Sequence, residues 1–166
     1  LGVAALVMVD AGVSYQTANE ALRENEARLA KPAPRGRAPK VSPQEIAAVR
    51  ETVQRLGIGV YTMSEVDRQG VETVLREALD RVDGAAFVHV SLDMDVIDPD
   101  VAPGVGTPVR GGLSYREAHL AMELLAESDA FDSFEIVEVN PILDRENATG
   151  RLAVELAASA FGARIL

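Results

Sequence analysis

The segment Leu92-Asp93-Met94-Asp95-Val96-Ile97-Asp98-Pro99-Asp100 carries four carboxylates directly after an apolar run, Ala85 to Leu92. Like charges this close raise one another's pKa unless something positive lies between them. Side chains alternate along a strand, so Asp93 and Asp95 are expected on one side. Two strand rises separate their Cα atoms by about 6.5 Å. Such a pair can embrace a divalent cation, or bridge two metals about 3.5–4 Å apart. An all-oxygen donor set favours manganese, magnesium or calcium over copper. A lone Asp-x-Asp is, however, more often a pair of turn-capping residues. A helix-loop-helix calcium site does not fit: counting from Asp93, the fifth position is Ile97, the sixth is Asp98 where Gly is needed, and the twelfth is Gly104 where Glu is needed.

Glu138 is the second candidate. It is expected to end the strand Phe134 to Val139, on the same side as Phe134 and Ile136. A carboxylate there needs a cationic or hydrogen-bonding partner. A guanidinium suits it, because its planar fork matches a carboxylate. A neighbouring arginine or a helix amino terminus would serve equally. His89 shares the strand parity of Asp93 and Asp95, which allows a place behind a metal site, although a histidine satisfied within the core is the commoner case. His119 falls on a helix and is expected to pack or face solvent. There is no Gly-x-Ser-x-Gly elbow, phosphate loop or dinucleotide fingerprint.

The elements that must position these groups are readable from punctuation and periodicity. Val3 to Val9 is expected to be a buried strand and Ser14 to Ala30 a helix. Lys31 to Val41, with Pro32, Pro34 and Pro39, is a linker whose basic residues are solvated. Ser42-Pro43-Gln44-Glu45 opens a helix that should stop at Gly57. Ile58 to Thr62 reads as a strand, and Ser64 as the start of a helix bearing the stripe Val71, Val74, Leu75, Ala78, Leu79 and Val82. Ala85 to Leu92 suits a strand covered on both faces. Asp93 to Gly112 is a loop. Ser114 and Glu117 form a capping box for a helix to about Glu127, Ser133 to Val139 is a strand, and Thr149 to Phe161 is a helix closed by Gly162. Strands alternating with helices imply a parallel α/β sheet. Ligands of such sheets gather at the carboxyl ends of the strands, where the Asp cluster falls.

The bulk numbers set bounds. At 166 residues and 48% hydrophobic, the chain can bury a core. Its net charge of -10 argues against nucleic-acid binding, which needs Lys and Arg against phosphates. It is compatible with a cationic ligand. The absence of cysteine excludes disulfides, thiolate metal sites and a cysteine nucleophile, and fits a reducing, cytoplasmic setting. No apolar run approaches the roughly 18 residues of a membrane span. The chain opens on Leu, which reads as a start inside a longer frame.

His89 to Gly112, HVSLDMDVIDPDVAPGVGTPVRGG, followed by LSYREAHLAMELL, closely resembles the arginase branch of the ureohydrolases. FEIVEVNPILD and the closing ENATGRLAVELAASAFG continue the likeness, which is good from about Ile58 onward. The resemblance implies the carboxy-terminal half of a three-layer α-β-α parallel sheet of the arginase/deacetylase type, incomplete here. On this reading residues 42–166 form that part, and residues 1–41 are a divergent segment with a Pro-rich linker. It implies hydrolysis of L-arginine to L-ornithine and urea with two manganese ions per complete site. Asp93 and Asp95 match a pair of metal ligands. Glu138 matches the glutamate that orients the substrate guanidinium, and Thr107 a position lining the same pocket. His89 and Asp98 become candidates for supporting the ligands. The family's Gly-Gly-Asp-His and Asp-Ala-His-x-Asp segments and its proton-shuttle histidine are absent, so no catalytic residue is assigned here and the chain alone is expected to be inactive. The complete enzyme is expected to form a homo-oligomer. An agmatinase-type ureohydrolase and a non-catalytic assembly or binding module are the alternatives.

Overall fold

The computed structural model describes residues 7–10 and 42–165. The expected helix Ser14 to Ala30 and the linker Lys31 to Val41 lie outside the described residues. Two compact units are present, Leu1–Asp10 with Tyr61–Leu166, and Ala11–Val60. In the second, helix α1 (Pro43–Arg55) starts at the expected proline. Its last turn closes through Leu56 N–H to the Thr52 carbonyl and Ile58 N–H to the Val53 carbonyl. Gly57, at φ +68°, makes the left-handed turn such an ending requires.

The first unit is built on a three-stranded sheet ordered β1 (Val7–Asp10), β2 (Val88–Asp93), β3 (Ser133–Val137). The central strand β2 pairs in parallel with β3, His89 opposite Ser133 and Asp93 opposite Val137. This is the parallel α/β arrangement that strand–helix alternation implies. Strand β1 adds an antiparallel neighbour, Val9 opposite His89, which alternation does not predict.

Three sequence expectations are corrected. Ile58 to Thr62 is not a strand, because none of the described strands pairs with it. The helix expected from Ser64 begins one residue earlier: Thr62 and Glu65 form the capping box of α2 (Met63–Gln69), Thr62 N–H donating to Glu65 Oε2 at 2.6 Å. Gly70, at φ +84°, then divides it from α3 (Val71–Arg81). Thirdly, β2 is covered unequally. Val88, Val90 and Leu92 are buried, whereas His89, Ser91 and Asp93 on the other face are only half-buried. The apolar stripe of α3 does face the core, with Val74 and Leu75 buried.

Helices α4 (Tyr115–Ser128) and α5 (Ala148–Ala160) pack against each other and supply much of the core. The Ser114 and Glu117 box starts α4 as expected, the Ser114 hydroxyl accepting from Glu117 N–H at 3.3 Å. Between these helices sits His119, 1% exposed, so its packing role is borne out and a solvent role is not. Its Nδ1 lies 2.8 Å from the Ser159 hydroxyl and its ring 4.4 Å from that of Tyr115. Its Nε2 is buried without a hydrogen-bond partner among the described residues, with Glu155 Oε2 3.9 Å away.

Burial holds the His119 imidazole below the ordinary histidine range, against the pull of the Glu155 and Glu123 carboxylates. The sign follows. As pH falls through about 6.5, the unfolded chain takes up a proton before the folded one does. Stability is therefore fully present above that value and declines as pH drops toward the depressed folded pKa. In a His89→Gln background only His119 remains to titrate as a histidine. There, the melting temperature is expected to fall between pH 7 and pH 5.5, and His119→Gln to flatten that segment. An unchanged slope in the double variant would show that His119 is not the source.

Among the described residues, no helix is long and apolar enough to cross a membrane.

Candidate metal and substrate site

Parallel pairing places the carboxyl ends of β2 and β3 at one edge of the sheet, with Asp93 level with Val137 and therefore one residue from Glu138. Beyond Asp93 the backbone leaves the strand. Met94–Val96 form a 3-10 turn, and the Asp93 carboxylate accepts the Asp95 N–H at 2.8 Å. Strand alternation therefore does not aim Asp95. The two acids are held together instead by this turn, whose apolar residues act as anchors: Met94 and Ile97 are fully buried. Burying two such side chains stabilises the turn by about 1.5–3 kcal/mol each.

The loop that follows folds back over the strand ends. Ile97 bridges Leu113 and Val105 bridges Val139. Asn140 N–H donates to the Gly104 carbonyl at 2.7 Å. The Thr107 hydroxyl donates to Asp95 Oδ2. Glu138 lies just past β3, exposed, at φ +63°, so the expected strand parity with Phe134 and Ile136 does not set its direction. Its Oε2 is 3.5 Å from where a Cβ on Gly106 would sit. Asp93, Asp95, Thr107 and Glu138 thus share one edge of the sheet.

The other two candidates stand apart from that group. Four strand rises put His89 about 13 Å back along β2 from Asp93. Its Nδ1 is 3.0 Å from the Ser133 hydroxyl and its Nε2 3.3 Å from Glu135 Oε1. Asp98 directs its carboxylate at backbone, accepting from Asp100 N–H at 2.9 Å and Gly111 N–H at 2.8 Å. These bonds hold its carboxyl below the usual range and make it a staple of the loop.

The donor set suits a hard cation. Asp95 Oδ1 is buried and has no hydrogen-bond partner among the described residues. A buried, unpaired carboxylate oxygen is costly unless a cation meets it. Burial pushes the Asp93 carboxyl up, against the Asp95 N–H that lowers it, and the Asp95 carboxylate raises it further. Divalent charge would relieve both effects. Among the described residues, no three His, Cys, Asp or Glu side chains form a metal-holding group, so Asp93 and Asp95 are two donors without a third.

Residues 37–162 match the profile described as the Arginase family. The chain belongs to the arginase family. Arginase from Bacillus subtilis (strain 168) is 48% identical over 140 residues, covering 79% of this chain and 47% of that protein. Arginase from Brevibacillus brevis is 48% identical over 141 residues, with the same coverage. The crystal structure of arginase from Bacillus subtilis superposes with a TM-score of 0.69 at 50% identity, over 78% of this chain and 45% of that one. This arginase-family chain thus spans about half the length of the curated relatives it matches. The family match begins upstream of Ile58 and takes in α1. The arginase-type α/β fold read from the sequence is borne out by the superposition.

Two residues that hold the Gly104 loop carried no signal in the sequence. Thr149 and Asp144, on and before α5, brace Gly104: Gly104 N–H donates to Thr149 Oγ1 at 2.7 Å. A Cβ on Gly104 would lie 2.5 Å from Asp144 Cβ, so only glycine permits that approach.

Proposed function

We propose that this chain supplies part of the active site of a manganese-dependent ureohydrolase that converts L-arginine to L-ornithine and urea. The supporting observation is the gathering of Asp93, Asp95, Thr107 and Glu138 at one sheet edge, with Asp95 Oδ1 buried and unpaired. Asp93 and Asp95 would hold manganese through oxygen, the donor type this ion prefers. The chemistry that two such ions supply is Lewis acidity and a water made nucleophilic at neutral pH. Thr107 fixes the Asp95 carboxylate through its hydroxyl. Glu138 presents an exposed carboxylate to which a guanidinium binds in a fork and is held in line for attack.

On this reading residues 42–166 are the carboxy-terminal part of the arginase-like domain and residues 1–41 a divergent segment. The complete enzyme is a cytoplasmic homo-oligomer that takes a small guanidino substrate. Two ligands do not make a preorganised pair of metal sites, so the chain by itself is inactive. The test compares two proteins. The isolated chain with manganese should release no urea from arginine. A chimera in which residues 58–166 replace the matching half of Bacillus subtilis arginase should release it in a manganese-dependent way. A folded, manganese-loaded chimera that leaves arginine intact would overturn the substrate assignment. Full turnover by the isolated chain would overturn the division of ligands.

A further inference from the structure

We infer that Thr149, a buried hydroxyl on α5, is the positioning residue that sets the Thr107 loop against Asp95. The inference rests on the metal reading above and adds a residue to it. Thr149 is 0% exposed and touches neither carboxylate of the metal pair. Its hydroxyl accepts the Gly104 N–H at 2.7 Å. Its backbone is pinned by the Asp144 carboxylate, which accepts Thr149 N–H and Gly150 N–H, each at 3.1 Å. A charged acceptor makes the stronger kind of hydrogen bond. The carbonyl of the same Gly104 is held by Asn140 N–H, at 2.7 Å.

Both sides of Gly104 are thus fixed, one by the first turn of α5 and one by the segment after β3. Val105 then bridges Val139, and two residues later Thr107 reaches Asp95. The chain of contact is Asp144, Thr149, Gly104, Thr107, Asp95. A threonine or serine is required at the second place because the Gly104 N–H needs a hydroxyl oxygen to accept it. Valine has the same shape and leaves the Gly104 N–H buried without a partner, at about 1–3 kcal/mol.

The experiment is a manganese titration of the full chain, labelled with nitrogen-15, read as paramagnetic broadening of amide signals. In the unsubstituted chain broadening should centre on Asp93 and Asp95. Thr149→Val should shift the titration at least fivefold to higher manganese and speed amide exchange at Gly104, while Leu125 and Leu156 stay protected. Thr149→Ser should restore both. A merely structural role would lower core protection without moving the titration. Should Thr149→Val not fold, Asp144→Ala, which releases the Thr149 and Gly150 N–H groups that pin the start of α5, must still weaken manganese in the same direction. An unchanged titration in a folded Thr149→Val or Asp144→Ala chain overturns the inference and leaves the metal reading intact. No broadening at Asp93 or Asp95 in the unsubstituted chain overturns the metal reading itself.

Discussion

Asp95→Ala in the chimera with Bacillus subtilis arginase is expected to remove manganese-dependent urea release, by at least about a hundredfold, while the protein stays folded. Loss of a residue that merely orients a metal ligand costs about 10–100-fold, and a ligand itself should cost no less. Folding should survive because Asp95 contributes little that stabilises the turn. Its Oδ1 meets no partner, its N–H bond to Asp93 belongs to the backbone and is kept, and the one side-chain bond lost, from the Thr107 hydroxyl to Oδ2, lies at an exposed position where water replaces it. Removing a buried, unpaired carboxylate oxygen even relieves a cost. The melting temperature of the metal-free variant should therefore equal or exceed that of the parent. Activity, bound manganese and melting are the three measurements. Retained manganese at full stoichiometry with lost activity would show that Asp95 acts on substrate instead.

Gly112→Ala is expected to destabilise the chain more than any surface change, by about 3–5 kcal/mol, the range reserved for strain or broken buried networks. A Cβ at this position would lie 2.5 Å from the Val96 carbonyl oxygen, 2.6 Å from Asp98 N and 2.7 Å from Ile97 C. All three atoms are backbone and cannot swing aside. The clash falls where the loop is tied shut, between Leu113 N–H on the Val96 carbonyl at 2.9 Å and Asp98 N–H on the Leu113 carbonyl at 3.0 Å. Both bonds flank the acidic turn, so manganese broadening at Asp95 should weaken along with stability. Urea denaturation of Gly112→Ala beside the parent gives the comparison. A loss under about 1 kcal/mol would mean the closure is looser than its distances indicate.

The acidic cluster was legible because carboxylates after an apolar strand are chemically conspicuous. The direction of the second one was not. Asp93 captures the N–H of the residue two ahead, a local bond that short polar side chains make in competition with a ladder. That bond ends alternation one residue before Asp95. Glu138 was likewise legible by type and not by parity, since its backbone has already turned out of β3. The capping box at Ser114 followed from its spacing. The same spacing at Thr62 and Glu65 was equally available and yields the true start of α2 in place of Ser64. Thr149 had no local signal at all, because its partner Gly104 lies 45 residues away and only the packing of α5 joins them.

Glu138 holds a left-handed backbone that glycine adopts freely and that burdens a side-chain-bearing residue by roughly 1–3 kcal/mol. A chain shaped for durability alone would carry glycine there. That it carries an acid is in keeping with the guanidinium-binding role proposed for Glu138, and on that proposal any effort to harden this protein should leave that place untouched.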